Sequence, residues 1–215
     1  MKKVLLSMLV LLLGVASWAQ YKDPKAKVVL DAVSAKFKSY QSVSAGFTYS
    51  IANKSGKVLS TKKGTAILKG EKFNINFGGN KIISDGKTVW NYDPSTKEVT
   101  INTANNSEST ITPQKLFSDF YNKDFNYVLG GDFTVGGKKA NKIILTPVDK
   151  KKAFERVYIG IDKASKNILT ILVVEKSGNR YSYNVSNFKP NVSVTDNQFT
   201  FNQADFPGVE VVDLR

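Results

Sequence analysis

Apolar residues recur at two different spacings along the chain, and the change from one to the other marks a change of structure. Val29, Val33, Phe37 and Tyr40 fall three to four residues apart, the spacing of one face of an α-helix. Asp23-Pro24 precedes them. An aspartate accepts hydrogen bonds from the free N–H groups of a first turn, and a proline there has no N–H to lose. A helix is therefore predicted over residues 24–40. Beyond it the period drops to two. Phe47, Tyr49 and Ile51 alternate with Thr48 and Ser50, and Phe73, Ile75 and Phe77 with Asn74 and Asn76, as in strands with one face buried and the other solvated.

Further strands are predicted at Lys142 to Thr146, Arg156 to Ile161, Ile168 to Glu175 and Tyr181 to Phe188, with Phe199 to Phe201 as a short last one. Asn53-Lys54-Ser55-Gly56, Asp85-Gly86, Gly130-Gly131, Gly136-Gly137 and Ser177-Gly178-Asn179 separate the runs as hairpin turns do. Asp93-Pro94 also reads as turn chemistry. The count comes to about ten strands, and a strongly twisted antiparallel sheet of that size tends to curl, so an open or incomplete barrel is predicted. One interruption stands out: Thr112-Pro113, then Leu116, Phe117, Phe120 and Tyr121, a capped short helix with its large apolar side chains on one side. The polar stretch Asn105 to Ser109 before it reads as a loop.

Composition narrows the chemistry. With 41% hydrophobic, 11% aromatic and 23% charged residues the chain has the make-up of an ordinary globular domain. It contains no histidine and no cysteine, which excludes a histidine-activated nucleophile, zinc knots, iron–sulfur clusters and disulfides. No cofactor is expected. Asp31, Asp119, Asp124 and Glu155 show no spacing of a catalytic pair or calcium loop, so a carboxylate hydrolase is a minor rival and the primary expectation is a binding protein rather than an enzyme.

The first residues read as a cleaved leader. Lys2 and Lys3 precede the apolar run Val4 to Val15, and Ser17-Trp18-Ala19 supplies the small-residue pattern of a cleavage site. The run has 12 residues, against the roughly 20 that a membrane-spanning helix needs. Residues 1–19 are thus read as a signal peptide and 20–215 as one domain, released outside the cytoplasm. Without the leader, 29 basic residues face 18 acidic ones, a formal charge of +11, and only Arg156, Arg180 and Arg215 are arginines. A surface so poor in the planar guanidinium fork is unsuited to base recognition, and no nucleic-acid partner is expected. Its charge suits anionic lipid headgroups or an acidic docking partner.

Whether the curved sheet packs solidly or encloses a cavity is not decided by the alternation, because 13 Phe and nine Tyr serve either arrangement. Trp90 and Tyr92 share one strand face, and cavity lining and ordinary packing stay equally open for that pair.

Several segments together resemble a known family. Ser84-Asp85-Gly86-Lys87-Thr88-Val89-Trp90-Asn91-Tyr92-Asp93-Pro94 resembles the SDGKTLWxYxP segment of the periplasmic lipoprotein-carrier (LolA) proteins. Gly64 to Lys69 with Phe73 resembles the strands before it, Thr112-Pro113 with Leu116-Phe117 the central helix, and Phe199 to Phe201 through Pro207 to Val211 the carboxyl end. The resemblance implies an unclosed antiparallel β-barrel covered by a few short helices. It implies a periplasmic chaperone, working as a monomer, that takes lipoproteins by their acyl chains from an inner-membrane ABC-type exporter to an outer-membrane acceptor. A chain of about 14 carbons loses roughly 11 kcal/mol on leaving a membrane for water, so unescorted transfer would be very slow. On this reading Phe73, Ile75 and Phe77 lie on the cavity-facing strand, with Phe47, Tyr49, Trp90 and Tyr92 assigned to the same lining. Leu116, Phe117 and Phe120 lie on the lid helix.

One departure bears on gating. In the family an Arg-Pro pair follows the lysine that matches Lys69, and its arginine holds the lid closed; here Gly70-Glu71 takes its place. The neighbouring Lys69 and Lys72 lack a fork that grips several carbonyls at once. A lipid or glycolipid carrier or sensor of the same fold is the alternative function.

Overall fold

Asp23 caps the first helix. In the computed structural model, which describes residues 22–104 and 120–215, its carboxylate accepts the Lys25 N–H at 2.8 Å and, from far along the chain, the Leu129 N–H at 3.0 Å. These backbone donors, the Leu129 N–H foremost, hold the Asp23 carboxyl below its ordinary range. Helix α1 (Pro24–Lys38) ends two residues earlier than predicted, with Ser39 as its cap, and buries Ala26, Leu30 and Val33. Residues 1–21 and 105–119, including the predicted leader and most of the predicted lid helix, lie outside the described residues.

Twelve strands form a single sheet rather than the ten or so predicted. They are β1 (Val43–Ala52), β2 (Val58–Lys69), β3 (Lys72–Phe77), β4 (Asn80–Ser84), β5 (Thr88–Asp93), β6 (Glu98–Thr103), β7 (Phe125–Val135), β8 (Lys138–Pro147), β9 (Phe154–Asp162), β10 (Ile168–Glu175), β11 (Arg180–Pro190) and β12 (Glu210–Asp213). Their order is β12-β6-β5-β4-β3-β2-β1-β11-β10-β9-β8-β7, antiparallel throughout except for the parallel β12–β6 pair. Among the described residues the edge strands β12 and β7 do not pair with each other, so the barrel is unclosed, as expected.

Two strand expectations are corrected. Gly130-Gly131 is not a turn; β7 runs through it, and the pairing with β8 slips between Leu129 and Asp132, which makes the glycines a bulge. The true turn is Gly136-Gly137, where both φ angles are positive (54° and 78°) and Val135 pairs with Lys138, the two-residue geometry that glycine permits. Phe199 ends a 3₁₀ turn (Asp196–Phe199) instead of starting a strand, and the last strand is β12. Between Phe199 and β12 the chain crosses the outer face of the sheet, with Tyr92 against Phe206 at 4.7 Å between ring centroids and the Asn74 amide donating to the Gln198 carbonyl at 2.6 Å.

Directly paired residues share a sheet face, so the registers sort the side chains. Val43, Leu68, Phe73, Ser84 and Val89 form one row, and Ala45, Ala66, Ile75, Ile82 and Asn91 the next row of the same, inner face. Towards β7 that face is filled: Tyr127, Ile143, Leu145, Val157, Ile159 and Ile161 pack against Ala26, Leu30 and Val33 of α1. The short helix α2 (Phe120–Asp124) adds to this core through Tyr121, whose hydroxyl donates to Asp31 at 2.6 Å and whose ring meets Tyr127 edge-on.

Candidate functional site

On the other half of the inner face the packing is incomplete. β1 and β2 set Ala45 opposite Ala66, so two methyl groups stand where β7 to β9 carry branched and aromatic side chains, and space is left above them. The result is a cavity of about 620 Å³, partly open, floored by β1, β2 and β3 and roofed by Val33 and Phe37 of α1 and by Tyr40 just beyond it. β10 and β11 form the far wall with Ile168, Ile171 and Val173, then Tyr181, Tyr183, Val185 and Phe188. Its size falls within the roughly 300–1,000 Å³ of small-ligand pockets.

Four residues singled out in the sequence meet in this cavity: Phe47, Tyr49, Ile75 and Phe77. The rings interlock, with Phe47 6.4 Å from Phe77, Tyr49 6.0 Å from Phe77 and Tyr49 5.0 Å from Tyr183. Phe73 sits elsewhere, 5% exposed in a packed cluster with Val43, Leu68 and Val89; Val43 and Leu68 also border the cavity. Trp90 pairs with Ile83 and Ile101, and Tyr92 with Lys81 and Val99, which puts both on the outer face, Tyr92 against Phe206 of the carboxyl-terminal crossing. Phe120 opens α2, while Leu116 and Phe117 lie outside the described residues. Tyr181, Tyr183 and Val185 went unassigned in the sequence, although their alternation with Ser182 and Asn184 carried the same period-two signal as β1.

The charged and amide groups lie at the margins, Lys36, Lys166 and Asn167 at one end, with the Tyr40 hydroxyl 3.4 Å from Asn167 Oδ1, and Glu175 at the other. Lys69 and Lys72 are turned away from the cavity. Both ammonium groups reach Asp196, at 3.0 and 3.2 Å, and so tie the 3₁₀ turn to the outer face. Gly70 adopts φ of +55° in the connecting turn, where the family's arginine would be strained.

The tyrosine wall has a measurable consequence. Burial pushes the Tyr183 hydroxyl up from 10.0 to about 12, with Tyr49 and Tyr181 adding to the effect, and burial likewise raises Tyr49 and Tyr181. Between these values the unfolded chain has released the Tyr183 proton and the folded chain has kept it, so stability declines as pH rises through that window. The melting temperature should fall between pH 10 and about 12, and Tyr183→Phe should lessen the fall. Equal alkaline sensitivity in both proteins would show that the hydroxyl is not buried.

A curved sheet open along one side, with an apolar cavity between its inner face and a covering helix, is an architecture with room for an apolar ligand. Over residues 38–202 the chain matches the family described as "Outer membrane lipoprotein carrier protein LolA", and it belongs to that family. It is 27% identical to the outer-membrane lipoprotein carrier protein of Histophilus somni (strain 2336), over all of this chain and 99% of that one. It is 27% identical to that of Pasteurella multocida (strain Pm70), over 97% and 95%. Among solved structures, an uncharacterized conserved protein from Thermus thermophilus shares the fold with a TM-score of 0.60 at 17% identity, covering 88% of this chain and 99% of that one. The lipoprotein LppX of Mycobacterium tuberculosis shares it with a TM-score of 0.52 at 13% identity, over 81% and 99%. Among the described residues no helix is long and apolar enough to cross a membrane.

Proposed function

We propose that the cavity receives the acyl chains of lipoproteins and that the protein, freed of residues 1–19, carries them as a monomer through the periplasm. The donor is an inner-membrane ABC-type exporter and the recipient an outer-membrane acceptor. The observation that carries this reading is the apolar volume beside Ala45 and Ala66 in a member of the lipoprotein-carrier family. Acyl chains gain from leaving water in proportion to the methylenes they bury, about 0.8 kcal/mol each. A partly open, smooth apolar wall returns much of that without the directional bonds that would oppose release. The role is one of binding and delivery, with no bond made or broken.

Native mass spectrometry of the protein purified from its own periplasm tests the reading. A bound lipoprotein is the expected result. A free lipid or glycolipid in its place would point to a carrier or sensor for another amphiphile, and a bare chain with no adduct under gentle ionisation would overturn the proposal.

A further inference from the structure

Three turns lie side by side at one rim of the sheet: β1–β2 (residues 53–57), β8–β9 (148–153) and β10–β11 (176–179). The pairings Ala52↔Arg180 and Glu175↔Phe154 bring them together, and the Lys176 N–H donates to the Ala153 carbonyl at 3.0 Å. Lys54, Lys57, Lys150, Lys151, Lys152 and Lys176 occupy these turns against a single acid, Asp149, whose carboxylate is engaged by the Lys151 N–H at 2.8 Å. The flanking Glu155 and Glu175 are balanced by Arg156 and Arg180. The rim thus carries a local excess of positive charge.

An apolar feature stands within the charge. β2 pairs with β3 only from Gly64 onward, so residues 58–63 have β1 alone beside them and this edge of the hairpin projects past β3. Near its tip the register slips between Ile51 and Ala52, leaving Leu59 without a partner, and Val58 and Leu59 are 59% and 60% exposed. Two consecutive exposed branched side chains ringed by lysines are a costly surface in water and a favourable one at a bilayer, where the apolar groups leave water and the cations meet anionic headgroups. The cavity ends here as well: Ala153 belongs to the second turn, Glu175 and Tyr181 flank the third, and all three line it.

We propose that this rim docks on an anionic lipid bilayer, Val58 and Leu59 entering the headgroup layer and the lysines facing lipid phosphates, so that the end of the cavity is presented to the membrane. The surface is defined independently of what the cavity holds, and its test needs no cargo. In flotation with unilamellar vesicles, the purified protein should bind those containing about one third phosphatidylglycerol about tenfold more tightly than pure phosphatidylcholine, and about tenfold more weakly as salt rises from about 50 to 300 mM. Val58→Ser with Leu59→Ser should remove most of the binding; Lys54→Gln with Lys57→Gln should remove the preference for anionic lipid. Both variants lie at an exposed tip and should melt with the unmodified protein.

Absence of vesicle binding, or binding unchanged in both variants, overturns the proposal. So does a loss of self-association on light scattering in the serine variant without change in vesicle binding, which would make the projecting β2 edge a site for another protein strand.

Discussion

Phe73→Glu is expected to unfold the protein or drive it to aggregate, whereas Phe77→Glu, two residues beyond the next cavity-facing position of the same strand, should leave a soluble protein that melts cooperatively and no longer takes up an apolar ligand. The two positions face the same side of the sheet but meet different surroundings. Phe73 is 5% exposed and packed among Val43, Leu68 and Val89. Removing such a ring costs about 3–5 kcal/mol, and a carboxylate in its place adds the penalty of an unpaired buried charge. That total is comparable with the whole stability of many domains, about 5–15 kcal/mol. Phe77 lines the cavity and touches Phe47 and Tyr49 through ring edges. Water can reach a glutamate there, so the loss of stability should stay near about 1–2 kcal/mol. The same carboxylate would either take up a proton or repel an acyl chain, and binding of a fluorescent fatty-acid analogue should drop by at least about tenfold. If Phe77→Glu binds the probe as well as the unmodified protein, the cavity is not its site; if Phe73→Glu melts normally, the cluster is looser than its burial implies.

The contrast between these residues also shows what the sequence could reveal. The start of α1 was legible because its determinants are local: Asp23 caps the N–H two residues on, and Pro24 follows it directly. Alternation likewise placed Phe47, Tyr49, Ile75 and Phe77 on one face, since that follows from the pleat alone. Alternation says that two residues share a face; it does not say what covers the face. Trp90 and Tyr92 satisfy the same period as Phe47 and Tyr49, yet they lie on the other face of the sheet, where Tyr92 meets Phe206, over a hundred residues further along the chain. The emptiness of the cavity was hidden for a related reason. It depends on Ala45 standing opposite Ala66, a coincidence of register that neither strand announces separately. Gly130-Gly131 misled because glycine pairs serve turns and bulges equally well, and only the continued pairing of Phe133 with Ala140 distinguishes them.

At Gly64 the smallest change should have a large effect. This glycine lies between Phe47 on β1 and Phe77 on β3, and the Phe47 ring folds over the space where a side chain would be. A β-carbon built there would lie 2.4 Å from the ring's Cζ and 2.6 Å from the Asn76 carbonyl oxygen. The ring can rotate away, but the carbonyl belongs to the β2–β3 ladder and moves only with the strand. Gly64→Ala is therefore expected to cost about 1–3 kcal/mol and to lower the melting temperature by roughly 3–10 °C. The displaced ring has one open direction, into the cavity, so the apolar probe should bind more weakly in proportion to the volume lost. Phe47→Ala combined with Gly64→Ala separates the two contacts: recovery of part of the stability identifies the ring as the obstacle, while unrelieved loss assigns the cost to the Asn76 carbonyl. A Gly64→Ala protein that melts within about 1 °C of the unmodified chain and binds the probe equally well would mean that β2 and β3 lie further apart than this packing requires.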